Sequence, residues 1–417
     1  MVNENSIAPC SGRRLDGFSR RSARRRGAAL LVAATALIGL LDHLTAAHAQ
    51  DWTLKSSVSQ RFLYDDNLLL TPKHHISTFG SLTTPELMLT RESPTSKMTL
   101  DGKFPYRAYF DNSELNSADQ SVDFRGNKDL SERSTLGLGA SLEHLTNLRS
   151  QLDDTDTFVV TKFRRTDWSV SPYWSYLLSP IDTMRLSANY RDVSFDTQRR
   201  VDYRTYGPSF GYTHQLSETA QVNGQLYYTR FEPDVPTNRR TNVFGGTFGY
   251  RYTPSERFTI GGAAGLSYSV TTEDGRPDDD GVGLLANFDV SYQMSEQLVA
   301  KAGLSHSSEP SGEGRQTTRN RVNLSFGYKL TELTSLGLDA RYTDNEDYFG
   351  TGVSRNSGNR SFFSVEPSVR WRVTDDLTLG AQYEYRHKTS TGKGTAVSNA
   401  VFVSLHYEFP NLSWGGF

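Results

Sequence analysis

The chain has 417 residues, of which 36% are hydrophobic and 12% aromatic, with a mean hydropathy of −0.55. So few aliphatic side chains beside 21 Tyr and 22 Phe argue against one large dry core and suit a wall one side chain thick with water on one face. A formal net charge of −2 gives no support to nucleic-acid binding, and the single cysteine, Cys10, falls in a segment expected to be removed as a leader, which leaves no thiol for a disulfide framework, a Cys-based metal site or a nucleophile.

The first predicted element is a leader. Arg13, Arg14, Arg20, Arg21, Arg24, Arg25 and Arg26 form a basic segment, residues 28–41 an apolar one, and Ala-His-Ala at 47–49 a small-x-small cleavage site before Gln50. An apolar run of this length is short for a membrane helix, which needs about 20 residues. Residues 1–49 are therefore expected to be a cleaved signal peptide, with a retained anchor as the alternative. Cleavage removes seven arginines and three acids and leaves a net charge of −6. No later apolar run approaches the length of a membrane helix.

From Gln50 the pattern is period two. In the stretch DLTLGAQYEYRH, Leu377, Leu379, Ala381, Tyr383 and Tyr385 share one face and Thr378, Gly380, Gln382, Glu384 and Arg386 the other. Such alternation predicts strands with one dry and one wet face. The first strand ends at Tyr64, followed by Asp65, Asp66 and Asn67, and similar breaks follow Tyr109, Tyr190 and Tyr342. An amphipathic ring prefers the membrane interface. Tyr64, Tyr190 and Tyr342 are thus expected to face lipid, and the Asp and Asn after them to belong to solvated loops. Tyr109 breaks register, because Phe104, Tyr106, Ala108 and Phe110 take the apolar face, and is expected to point inward.

Tight turns are predicted at Ser93, Ser131, Ser179, Ser217, Pro254, Ser295, Thr331 and Thr374. They recur about every 40 residues, which reads as nine hairpins and 18 strands, with 16 as the alternative count. A WD40 propeller has a similar period but four short strands per blade, and its Trp-Asp and Gly-His marks are missing. Longer connections are predicted at 65–76, 147–165, 231–240, 272–281, 309–318, 344–359 and 389–395, and 147–165 is the one singled out as able to fold inward. Open edges are costly, most of all in lipid, so the expected fold is all-β: one closed antiparallel transmembrane barrel over residues 50–410. Short turns belong on the periplasmic side and long loops outside.

The stretch SVSQRFLYDDNLLLTP, with Tyr64, Asp66 and Asn67 matching a Tyr-x-Asp-Asn strand end, resembles outer-membrane β-barrel proteins associated with bacterial exopolysaccharide production and exosortase systems. The resemblance extends in style along residues 50–410, but its motif covers only a few positions. It implies a Gram-negative outer-membrane location and a role in polysaccharide assembly or export. The implied partners are outer-membrane lipid and lipopolysaccharide, the barrel-insertion machinery, polysaccharide, and periplasmic export components. Barrels of this kind commonly end on an aromatic read during insertion. Here Leu405, Tyr407 and Phe409 precede the tail 410–417, which Pro410 sets off. The expectation is a signal ending at Phe409 with the tail hanging in the periplasm; the alternative is that Trp414 and Phe417 contribute.

The wet face carries Lys55, Arg61, Lys103, Arg107, Arg125, Arg185, Arg191, Arg251, Lys301, Arg321, Lys329, Arg341, Arg370, Arg372 and Arg386, against Asp101, Asp123, Glu143, Asp289, Asp339, Glu366 and Glu384. Such an excess suits a channel favouring anions, as rings of Arg and Lys do. It equally suits cross-strand ion pairs that merely hold the wall. The acidic segment 273–281 lacks EF-hand spacing and reads as a solvated loop or a cation-bridging one. No HExxH, GxSxG or phosphate-cradling glycine loop is present, so no enzyme, cofactor or metal is expected. The expected function is a passive channel supporting polysaccharide export or assembly. The rivals are a general porin for small solutes and a docking barrel for a periplasmic biosynthetic complex.

Overall fold

The computed structural model describes residues 51–147, 162–311, 314, 316–347, 360–392 and 394–415. The leader, most of the connections predicted at 147–165 and 344–359, and Phe417 lie outside the described residues.

The strands are β1 Asp51–Asp65, β2 Thr78–Ser93, β3 Ser96–Lys103, β4 Tyr106–Tyr109, β5 Ser117–Ala118, β6 Gln120–Ser131 and β7 Ser134–Thr146. Next come β8 Arg164–Ser179, β9 Asp182–Phe195, β10 Tyr203–Ser217, β11 Ala220–Pro233, β12 Arg240–Ser255, β13 Phe258–Thr272 and β14 Asp279–Gln293. The rest are β15 Leu298–Pro310, β16 Gln316–Lys329, β17 Thr334–Asp347, β18 Arg360–Arg372, β19 Leu377–Ser390, β20 Gly394–Glu408 and β21 Leu412–Gly415. β3 and β4 are halves of one wall strand, since Glu86↔Lys103 and Gly80↔Tyr109 belong to one unbroken register. Pro105, which has no N–H to give a ladder, marks the break. β5 and β6 are likewise one strand, and β21 extends β20. Each wall strand is antiparallel to the next, and β1 pairs with β2 on one side and with β20 and β21 on the other. The result is a closed antiparallel barrel of 18 wall strands, as the turn spacing predicts.

All eight predicted tight turns join neighbouring wall strands. Their chemistry explains the recurring Ser and Thr. The opening hydroxyl accepts a backbone N–H two or three residues on: Ser96 N to Ser93 Oγ (3.0 Å), Ile181 N to Ser179 Oγ (3.2 Å), Leu298 N to Ser295 Oγ (3.0 Å), Thr334 N to Thr331 Oγ1 (2.9 Å) and Leu377 N to Thr374 Oγ1 (3.1 Å). Sequence reading missed two connections at the opposite end, 110–119 and 196–202, the first holding a 3-10 turn at Ser113–Leu115.

The alternation sorts side chains by face. Phe62 (54% exposed), Phe248 (64%) and Val282 (67%) stand on the outer surface. Inward positions hold charges, hydroxyls and glycines. At two places an inward tyrosine lies flat over a glycine on the adjacent strand. A Cβ at Gly137 or Gly245 would run into the ring of Tyr173 or Tyr227. The missing side chain lets a large ring hug the wall instead of standing across the lumen.

Two expectations need correction. Asp65 and Asn67 are fully buried, not solvated. Asp65 Oδ2 pairs with Arg386 Nη2 of β19 at 2.5 Å, and Asp65 Oδ1 accepts from Ser398 Oγ of β20 (2.8 Å) and from the Asn67 amide (3.1 Å). Asp66 accepts from the Asn399 backbone N and Nδ2, both at 2.7 Å, and Asn67 Nδ2 donates to the carbonyls of Val397 and Thr71, both at 2.9 Å. A carboxylate can lie this deep only with its charge and lone pairs matched. Asp-Asp-Asn is thus a clasp joining the first wall strand to the last two. The second correction concerns the tail. Residues 412–415 do not hang free: Leu412↔Leu54 and Trp414↔Trp52 continue the ladder after a one-residue slip at Pro410, and the two indoles stack at 6.3 Å and 4°.

Arg386→Met, which strands the buried Asp65 charge, is expected to cost about 3–5 kcal/mol. Asp65→Asn together with Arg386→Met should recover part of that loss. The measurement is the temperature at which the folded, fast-migrating band on a semi-native gel converts to the unfolded one.

Candidate functional site: the inner wall and its mouth

The ladder puts Arg61, Lys103, Arg107, Arg125, Arg185, Arg191, Arg251, Lys301, Arg321, Lys329, Arg341, Arg370, Arg372 and Arg386 on the face opposite the exposed aromatics, inside the barrel. Their surroundings differ. Lys103 pairs with Glu86 (3.7 Å), Arg107 with Asp119, Arg191 with Asp167 (2.9 Å from Nε), Arg251 with Asp289 (3.4 Å) and Arg386 with Asp65. Arg185 lies over the Tyr173 ring at 3.7 Å and Arg61 over Phe402 at 5.2 Å, as cations on aromatic faces do. Arg372 donates to the Glu332 carbonyl (3.1 Å). Arg125, Lys301, Arg321, Lys329 and Arg370 make no ion pair among the described residues. Cross-strand pairing therefore accounts for part of the basic excess and leaves the rest uncompensated.

The charges are layered. Along one hydrogen-bonded row, Lys329, Ser335, Arg370, Gly380, Ser404, Arg61, Leu82 and Arg107 stand opposite one another in turn. Lys329, Arg370, Arg61 and Arg107 follow one another at two, three and two interstrand spacings, about 9.5–14 Å, with small or neutral residues between them and no carboxylate in the row. The next inward row is neutral: Gly327, Gly337, Ser368, Gln382, Phe402 and Leu63. The row beyond carries carboxylates, with Asp339 opposite Glu366, Glu384 on the following strand opposite Ala400, and Ala400 opposite Asp65. Like charges across a ladder destabilise it unless they are answered. The answer is the row above, where Arg341, Ser364 and Arg386 follow one another and Arg386 Nε approaches Glu384 at 3.9 Å. The lower cations lie four residues, about 13 Å, from the acidic row, beyond the screening length of about 8–10 Å at physiological salt.

The long-loop end is narrowed by the chain itself. After Asn67 the segment turns inward, closed by Leu68 N to Ile76 O (3.0 Å) and Leu70 N to Asn67 O (2.9 Å). Leu68 and Leu69 pack on the inward-facing Leu63, Tyr109, Ala400 and Phe402, together with Leu115 of the 110–119 connection. Leu70 packs on Phe362 and Ala396. Leu70 and His74 adopt positive φ (46° and 57°), a conformation non-glycine residues accept only under tertiary constraint. A Cβ at Gly314, between β15 and β16, would lie 3.5 Å from Val201 and 3.6 Å from Pro233, so that connection reaches the ends of β10 and β11. Sequence reading singled out 147–165 for this role, and most of that segment lies outside the described residues. The overlooked signal was three consecutive leucines in a segment otherwise read as a solvated loop.

The predicted interface aromatics are on the outer face. Tyr64 meets Phe79 at 4.7 Å, Tyr190 lies between Trp168 (4.9 Å) and Tyr206 (6.2 Å), and Tyr342 is exposed. At the tight-turn end Tyr407 and Phe409 meet edge-on at 5.0 Å. Tyr109 is inward and 1% exposed. In the acidic 273–281 segment, Glu273 pairs with Arg276 (3.2 Å) and lies 3.9 Å from Arg239, and Asp274 accepts from Asn238 (2.6 Å). Among the described residues no three His, Cys, Asp or Glu side chains group as a metal site.

Residues 192–321, less than a third of the chain, match a family described as "Putative MetA-pathway of phenol degradation". No curated protein sequence matches the chain. Among solved structures, it is similar to OccK2 (OpdF) of Pseudomonas aeruginosa in complex with glucuronate, at 12% identity and a TM-score of 0.48, over 86% of this chain and 98% of that one. It is similar also to OpdK of the same organism with vanillate (13%, TM-score 0.47, 87% and 99% covered) and to the FrpB iron transporter of Neisseria meningitidis (9%, TM-score 0.47, 85% and 81% covered). These likenesses concern the outer-membrane barrel fold alone.

Proposed function

We propose that the protein is a passive outer-membrane diffusion channel biased toward small anionic solutes. The observation that carries this reading is the inner-wall cation row in which Lys329 and Arg370 make no ion pair among the described residues and which Arg61 continues. An 18-strand barrel is wide enough for an aqueous lumen. Its strands tilt by about 35–45°, so a row running across them climbs the barrel axis by roughly 6 Å for every two strands. Lys329 ends β16 at the tight-turn end, and Arg107 lies near the loop end of β4. An anion handed along this row would meet weak, repeated sites that let it both enter and leave.

Small solutes fit better than a polymer because the inward 66–77 segment narrows the mouth. Polysaccharide export rests on the resemblance at Tyr64, Asp66 and Asn67. Asp66 and Asn67 are occupied in holding the seam, so the motif speaks for barrel closure rather than for cargo. The partial match to a family named for phenol degradation makes an aromatic carboxylate a natural test solute.

In planar bilayers under a KCl gradient, the reversal potential should indicate anion preference. Lys329→Glu with Arg370→Glu should lower the chloride-to-potassium permeability ratio at least about fivefold, equivalent to ~1 kcal/mol. An unchanged ratio would sink the proposal. Absence of any conductance would favour the docking barrel instead, and passage of long oligosaccharides would restore the polysaccharide reading.

Replacing residues 68–76 with a short Gly-Ser link should raise single-channel conductance while preserving its sign of selectivity, because the cation row lies deeper than the leucine cluster. Equal conductance would mean that the segment does not limit flow.

A further inference from the structure

One group of polar side chains on the outer wall is arranged as a nucleophile, a base and an orienting amide. The outward face of β15 runs Ala302, Leu304, His306 and Ser308, and on β16 Gln316, Thr318, Asn320 and Val322 share that face. His306 stands opposite Asn320, and its Nδ1–H donates to Asn320 Oδ1 at 2.6 Å. That bond sets the tautomer and leaves the Nε2 lone pair able to take a proton. Ser308 is the next residue on the same face, about 7 Å further along the strand. Its hydroxyl donates to Gln316 Oε1 at 3.2 Å. The serine-to-histidine bond is not formed here; such bonds often tighten only once substrate is in place, and rotation of Ser308 about Cα–Cβ is the motion required. Two other outward histidines lack this set. His144 bonds Thr166 through Nδ1 (2.9 Å) and has Arg164 at 3.4 Å from Nε2, while His214 pairs with Asp182 (2.8 Å) and has Leu216 where the serine would be needed.

The level of this group in the wall points to its substrate. Leu304, Val322 and Tyr342 form the outward row just below it, Tyr342 being one of the interface aromatics. On the adjacent β14, Ala286 faces His306, and the exposed Leu284 and Val282 continue the apolar track. A lipid lying here would keep its acyl chain on the leucines and valines and present its ester carbonyl to the polar group above the tyrosine row. We propose that Ser308, His306 and Asn320 form a lipid-facing esterase site that hydrolyses acyl esters of membrane lipids. Ser308 Oγ attacks the acyl carbonyl carbon while His306 Nε2 takes the hydroxyl proton. The tetrahedral intermediate expels the alcohol, whose oxygen receives that proton, and the acyl group stays on Ser308. Water, deprotonated by the same Nε2, then attacks the acyl-serine; the fatty acid departs and Ser308 regains a proton. Asn320 is a positioning residue. Gln316, which accepts the serine hydroxyl, carries its amide NH2 beside the nucleophile as a donor for the developing oxyanion. The members come from two facing strands, with His306 and Asn320 14 positions apart, so local motifs such as GxSxG do not mark them and the sequence-based expectation of no enzyme missed them. The site lies on the outer wall and stands whether or not the lumen conducts.

The test incubates the full folded barrel with diacyl phosphatidylethanolamine in mixed micelles and follows fatty-acid release. A second arm treats the barrel with a long-chain alkyl fluorophosphonate and maps the adduct by mass spectrometry. The wild-type protein should release fatty acid and lysolipid, and the adduct should fall on Ser308. Ser308→Ala should abolish both, and, prepared in parallel, it measures any hydrolase carried over from the host. His306→Ala should lower turnover at least about 100-fold. Asn320→Leu should lower kcat. Asn320→Asp should keep activity and move the acid limb of the kcat/KM profile to higher pH, because a carboxylate at Nδ1 stabilises the imidazolium. The other groups around that histidine, Ala286 on β14 and Asp344 beyond Asn320 on β17, are the same in both proteins. Folding of each variant is read by heat-modified gel migration, and the wild-type adduct decides the matter without any variant. Fatty-acid release no greater than that of Ser308→Ala, or the absence of an adduct on Ser308, overturns the proposal; an unmoved acid limb in Asn320→Asp overturns the pairing of base and orienting amide.

Discussion

Backbone hydrogen bonding is the constraint on which the molecule depends. A strand in hydrocarbon has no water to satisfy its N–H and C=O groups, so each wall strand needs a neighbour on both sides. For seventeen of the eighteen junctions, the partner is the next strand in sequence, delivered by a turn or loop. The last junction must bring β1 to β20 across the whole length of the chain, where no turn helps. Side chains take over that work there: Asp65, Asp66 and Asn67 at one end of the seam, and the Trp52–Trp414 stack at the other.

The same pleat that gives every strand its two neighbours gives every residue one of two solvents. Lipid takes most of the aromatic and aliphatic positions, and many of the ionic residues face inward, where like charges would crowd. The layered inner wall resolves this crowding. Carboxylates of β17, β18 and β19 sit beneath a row with Arg341 and Arg386, and a neutral band separates them from the cations nearer the tight turns. Selectivity, on the proposed reading, comes from the band in which Lys329 and Arg370 make no ion pair among the described residues.

Fold and site were unequally legible in the sequence. Period-two alternation and the Ser or Thr at most tight turns are local signals, and they carried strand number and turn positions. Tyr109 was legible as inward because its neighbours kept strict register. Leu68, Leu69 and Leu70 were misread because a loop's direction depends on tertiary partners such as Phe402 and Phe362, which lie more than 290 residues away. Asp65 was misread for a related reason: an acid after a strand usually meets water, and its cation, Arg386, is 321 positions distant. Pro410 did break the alternation, but a proline says nothing of whether pairing resumes beyond it, as it does at Leu412.

The pairing of Asp51 with Gly415 brings the two ends of the wall side by side. Topologically the molecule is a hoop with a single cut, and the cut falls between residues one ladder rung apart. A bridge of a few residues could join them, and the chain could then be reopened at any of the Ser- or Thr-capped turns, giving circularly permuted barrels with the same wall. The position of that cut has little bearing on the geometry of the finished ring.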